Sequence, residues 1–315
     1  MLAGCVPTVV RSAHEVILVR YEGGELVILD DDDPLYQEFQ AQVLSDPATA
    51  RLLNVFEHTT EAFLATSRPS SHPQTLANKP MVILDTPRVG TWRNIAPKTS
   101  QGERVPVELA FGVGHEGQVD LDRARRDFPW AVGPALLDLA EVPAPQGAME
   151  TETPLDRPTT ELLALRAGFV AALKALHAQE QARAATAELE AIDQPLSPSP
   201  RPSDVAPPPS KEAWATPAFV AAFFQRLLAE GSDYYPQRYM LWFANYDAGE
   251  TIYGKVLLAL LHMSGTKQVS IQAFIHSYCE LFPAEEETVL GLASSVFGEK
   301  PRASVAPAPQ KPPRG

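Results

Sequence analysis

The residue types in this chain that could do chemistry are histidine, carboxylates and glycine, and each grouping of them lacks a part. Gly112, Gly114 and Gly117 stand in the order that holds a dinucleotide pyrophosphate. That chemistry needs the free N–H groups of a helix N-terminus inside the motif. Val119 and Leu121 instead alternate as a strand does, and Glu116, Asp120 and Asp122 would repel a phosphate, so a glycine-rich hairpin turn accounts for the motif. His115-Glu116 and His14-Glu15 begin like the zinc-peptidase helix, in which a second His at the fifth position puts two imidazoles on one face. Val119 and Leu18 occupy that position here. His58 with Glu61, His177 with Glu180, and His276 with Glu280 stand at helical spacing, but one pair supplies too few ligands for a tight metal site. A site would need three of His58, His115, His262, His276, Glu61 and Glu250 to converge. Asp30 to Asp33 lack the glycine and the distal glutamate of a calcium loop and read as a turn and helix cap. No catalytic residue, metal or cofactor is expected.

Two resemblances follow from short stretches. Leu165-Arg166-Ala167-Gly168-Phe169, on a long helix, resembles the setting of the third zinc ligand in gluzincin metallopeptidases, with Ala167 where the carboxylate would stand. Asp247-Ala248-Gly249-Glu250, before a later apolar helix, is similar. The resemblance implies, as the alternative function, a degenerate metallopeptidase without its zinc ligands. Leu2-Ala3-Gly4-Cys5 resembles the lipobox of bacterial lipoproteins, in which the cysteine becomes the lipidated first residue. The basic and apolar stretches of a signal peptide do not precede it. Lipidation of Cys5, and an extracytoplasmic location, are expected only if the start codon is placed too far downstream; otherwise the chain is expected in the cytoplasm.

Aromatic residues are the compositional anomaly. Tyr234, Tyr235, Tyr239, Trp242, Phe243, Tyr246 and Tyr253 fall close together, and such rings bury area while keeping a polar tip. They suit a protein or peptide partner, but packing of one lobe on another uses the same physics and accounts for them more readily. The leading expectation is a non-enzymatic binding or scaffold protein, surface-tethered if Cys5 is lipidated, with Tyr234, Tyr235, Tyr239, Trp242 and Tyr246 as its contact residues.

The 315 residues carry a formal charge of −13 and no basic cluster, which disfavours nucleic acid and anionic membranes as partners. No apolar run is long enough to span a bilayer. Two cysteines, Cys5 and Cys279, cannot form a disulfide framework.

The elements that must position these residues follow from periodicity. Residues 15–30 predict a β-hairpin around Gly23-Gly24. Asp33-Pro34 and Asp46-Pro47 each predict a helix start, the first helix running through Gln42. Met81 to Leu84 read as a buried strand, and 104–113 as a strand forming a second hairpin with 119–121. Residues 122–142 look helical, interrupted by Pro129 and Pro134. The fold class expected is α+β: an N-terminal α+β lobe with two β-hairpins, followed by a mainly helical C-terminal lobe. Its parts are residues 1–14 as an N-terminal segment, 15–143 as the α+β lobe and 158–193 as one long helix. A proline-rich linker over 194–211, a helical lobe over 212–298 and a disordered tail over 299–315 complete it. On the long helix Leu162, Arg166, Phe169, Leu173, Leu176 and Glu180 share a face, and its second half is expected to project into solvent. Thr216-Pro217 caps the next helix, with Phe219, Phe223 and Leu227 on one stripe, and further helices lie near 249–264, 270–281 and 284–297.

Overall fold

The computed structural model describes residues 17–22, 25–30, 32–50, 52–53, 81–84, 90–91, 109–112, 120–145, 153–190, 212–230, 252–266 and 268–298. The chain divides into two compact units. The first takes residues 1–61, 68–135 and 177–187, and the second takes 62–67, 136–176 and 188–315.

In the first unit, β1 (Ile17–Glu22) pairs antiparallel with β2 (Glu25–Ile28), Val19 opposite Ile28 and Glu22 opposite Glu25. β3 (Met81–Leu84) lies parallel to β1 on one side and to β5 (Leu109–Gly112) on the other, and β5 also pairs antiparallel with the two-residue β4 (Gly90–Thr91). The order is β2-β1-β3-β5-β4. A central strand with parallel neighbours suits the unbroken apolar run Met81 to Leu84.

The expected α+β lobe with two hairpins is corrected. The described residues are mainly helical, and the return strand of the second hairpin is not found among them. Leu121 is not the end of a strand but the first residue of helix α3 (Leu121–Leu139). Asp120 decides it: its Oδ1 accepts the Arg123 amide at 2.9 Å and its carbonyl accepts from Ala124, as an N-cap does. A cap anchored by a carboxylate outweighs two residues of apparent alternation. α3 also runs through Pro129 and Pro134 rather than breaking there. Phe128, Val132, Leu136 and Leu137 are fully buried along it, and burial on that scale offsets the roughly 3 kcal/mol lost at an interior proline.

Helix α1 (Pro34–Phe39) begins as expected, Asp33 accepting the Leu35 amide at 2.8 Å. It then widens into a π turn over Gln40–Leu44, where an α-helix through Gln42 was expected. The wider turn leaves Phe39, Val43 and Leu44 all buried. Asp46 repeats the cap for α2, which is helical at 47–50 and 52–53: its Oδ2 accepts the Thr49 amide at 2.9 Å.

Helix α4 (Glu161–Glu190) opens on Thr160, whose Oγ1 accepts the Leu163 amide. Residues 164–170 are buried without a break, so the helix is enclosed all round there and not along one stripe. Gly168 permits this: a β-carbon at that position would lie 2.6 Å from Val220 Cβ and 2.9 Å from the Pro217 carbonyl oxygen. Further along α4, His177 is buried again, while Ala178, Gln179, Ala182 and Arg183 are exposed.

The second unit is completed by a 3-10 turn (Ala213–Ala215) and by helices α5 (Pro217–Glu230), α6 (Ile252–Gly265), α7 (Ile271–Leu281) and α8 (Glu286–Phe297). α5 packs on α6 and α8, and α7 packs on α6 and α8. Thr216 does not cap α5 through its side chain; its hydroxyl donates back to the Glu212 carbonyl at 2.7 Å. Pro217 alone marks the helix start. Phe223 and Leu227 of the expected stripe are buried and Phe219 is half-buried. Rings knit the core: Trp214 stacks on Phe297 at 4.0 Å, and Phe224 meets Phe169 at 5.2 Å and Phe274 at 5.0 Å. Ser270 caps α7, and Gly298, at φ 76°, ends α8 in the left-handed conformation that favours glycine. No helix among the described residues is long and apolar enough to cross a membrane.

Candidate functional site

Four polar groupings carry the chemistry of the described residues. The first joins α6 to the turn before α8. Lys255 Nζ and Glu285 Oε1 form an ion pair, Tyr278 donates to Glu285 Oε2 at 2.6 Å, and Lys255 lies 5.5 Å above the Phe282 ring. Burial, then the hydrogen bond to Glu285, drives the Tyr278 phenol far above its usual range. Burial by itself would raise the Glu285 carboxyl, but the hydrogen bonds from Lys255 and Tyr278 and the lysine charge prevail and hold it low. A phenol held protonated and a carboxylate held ionised by a lysine act as fasteners. Next to them, burial and the Glu286 charge push the Cys279 thiol up to about 11, so it is unreactive at neutral pH.

Glu280 of α7 stands between two imidazoles. Its Oε1 is 3.1 Å from His276 Nε2, one turn back, and its Oε2 is 3.8 Å from His262 Nδ1 on α6. The structure thus brings together two histidines that sequence reasoning marked, through a carboxylate seen there only as the partner of His276. All three side chains are about half exposed, and no group of three His, Cys, Asp or Glu among the described residues is disposed to hold a metal ion.

Arg166 is fully buried in the second unit. It donates from Nη1 to the carbonyls of Val142 at 2.7 Å and Pro143 at 3.3 Å, and from Nη2 to Asp138 Oδ1 at 3.2 Å. Ala167 and Gly168 beside it are buried in packing. The stretch that resembles a gluzincin ligand helix is core here.

The fourth grouping lies in the first unit. His177 Nε2 is 3.1 Å from Thr49 Oγ1 and 3.9 Å from Asp46 Oδ2, and that carboxylate oxygen also receives the Thr49 hydroxyl at 2.9 Å and the Gln181 amide at 3.4 Å. Burial lowers the imidazole below its ordinary value; Asp46 opposes this and Arg125 adds to it. The Glu180 expected beside His177 pairs instead with Arg183 at 3.6 Å. The cap at Asp46 was legible in the sequence. Its pairing with a histidine far along the chain was not.

Tyr234, Tyr235, Tyr239, Trp242, Phe243 and Tyr246, together with Cys5, His58, Glu61, His115 and Glu250, lie outside the described residues, as do the linker over 194–211 and the tail from 299. Tyr253 is half-buried on α6. No family model, no curated protein and no solved structure matches this chain.

Proposed function

We propose that the chain is a non-enzymatic binding or scaffold protein whose helical unit carries Tyr234, Tyr235, Tyr239, Trp242 and Tyr246 to a protein or peptide partner. The support is the fastening of both helices that bracket these residues. α5 is held by the contacts of the Phe223 and Phe224 rings with Phe274 of α7 and by Arg226, which donates to Ser295 of α8 at 3.3 Å. α6 is held by the Lys255–Glu285 pair and by Ser264, which donates to the Ala140 carbonyl at 3.2 Å. A segment rich in tyrosine and tryptophan, with both ends on a fixed frame, loses less conformational entropy on binding than a free peptide does. Lys255, Tyr278, Glu285, Ser264 and Arg226 of that frame are committed to its own backbone and to one another, which fits a support more than a reaction centre.

The test is the pair Tyr239→Ala and Trp242→Ala. Purified from its own cells, the wild-type chain should retain a stoichiometric partner that the double variant loses, with thermal midpoints equal. A lower midpoint with the partner retained would show that these rings pack the protein's own interior.

A further inference from the structure

The hydrogen-bond directions around His177 fix where an added proton must go. The Asp46 carboxylate can only accept, so Thr49 commits its single hydroxyl proton to Asp46 Oδ2. Toward His177 that hydroxyl is left as an acceptor, and the 3.1 Å contact requires hydrogen on Nε2. The neutral ring is therefore the Nε2–H tautomer. Acid adds its proton to Nδ1, the ring nitrogen that neither the Thr49 nor the Asp46 contact uses. The side chain is only 3% exposed, so the new charge gains little solvation from water. Asp46 on the α2 cap attracts that charge, Arg125 on α3 repels it, and Gln181, one turn along α4, is neutral.

We propose that His177 is an acid-sensitive latch: protonation at Nδ1 loosens the hold of α4 on the α2 cap formed by Asp46 and Thr49. What is released is a short element whose Leu52 and Leu53 are buried in the closed form. Opening it uncovers apolar surface under acid conditions alone.

Amide hydrogen exchange over residues 47–53 of the full chain, corrected for intrinsic pH dependence, tests this between about pH 7.5 and about pH 5. Protection should fall about tenfold in the wild type. It should hold steady in His177→Gln, whose amide can still donate to Thr49 Oγ1 but does not titrate. An equal fall in that variant, or none in the wild type, overturns the latch. Nitrogen-15 shifts of the wild-type imidazole give a reading independent of the variant's folding. A ring that gains its proton at Nδ1 while residues 47–53 stay protected also overturns the proposal.

Discussion

Each unit fastens a distant stretch of chain to a helix, and the two use opposite electrostatics. In the first, the α2 cap is tied to α4 by a neutral histidine held below its ordinary value. In the second, charged donors make the ties: Arg166 grips the backbone after α3, and Lys255 grips Glu285. The signs of their acid responses agree, but the windows do not. A folded His177 that resists protonation contributes stability in full above the unfolded value of about 6.5, and that contribution drains away as pH falls below it. Glu285, held low, keeps its contribution until pH falls past the ordinary glutamate range toward its lowered folded value. Acid therefore reaches the neutral tie first. A tie anchored on a carboxylate held low keeps its contribution through mild acid, and one anchored on a desolvated imidazole does not.

The largest expected effect breaks the charged side of this contrast. Arg166→Met removes the hydrogen bonds to Val142, Pro143 and Asp138 from a fully buried position and leaves the Val142 carbonyl without its 2.7 Å donor. Asp138 is 40% exposed and can return to water, so most of the loss comes from the carbonyls and the packing. The variant should lose about 3 kcal/mol of unfolding free energy in urea melts. A loss under about 1 kcal/mol would mean that the buried guanidinium contributes no more than a surface ion pair does.

Steric fit in the same unit can be separated from its charges. Gly168→Ala would set a methyl group 2.6 Å from Val220 Cβ and 2.9 Å from a backbone oxygen that cannot rotate aside. Destabilisation of about 1–3 kcal/mol is expected, partly restored by Val220→Ala in the double variant. Additivity of the two substitutions would show that α4 and α5 do not meet at this point.

How much of this was legible follows from the range of the forces involved. The caps at Asp33 and Asp46, the apolar stripe of α5 and the positions of α6 to α8 act within a few residues, and local patterns report them well, although Thr216 turns its hydroxyl back to Glu212 instead of capping α5. Asp120 was misread because a cap and a strand end share the same residue types when only Val119 and Leu121 alternate. The passage of α3 through two prolines depends on burial that no local rule contains. The unbroken burial of α4 depends on Gly168 meeting Val220, more than fifty positions later. The polar groupings were least visible of all. Arg166 with Val142, Lys255 with Glu285 and His177 with Thr49 are joined only by the fold. Nothing local marks either residue of a pair as the partner of the other.

The smallest expected effect sharpens the contrast. Glu285→Gln keeps an acceptor for Tyr278 and removes the charge opposite Lys255. Glu285 is 35% exposed, so water screens the pair and the loss near neutral pH should be about 1 kcal/mol. The telling readout is the pH profile. In the wild type, exchange protection over 271–297 should weaken as pH falls below the glutamate range, because the unfolded chain takes up a proton that folded Glu285 resists. Glutamine cannot titrate, so that part of the acid sensitivity should vanish over 271–297, while the earlier loss over 47–53 persists. If Glu285→Gln instead removed the response near pH 6, the two fasteners would share one titration, and the division of labour between neutral and charged ties would be wrong.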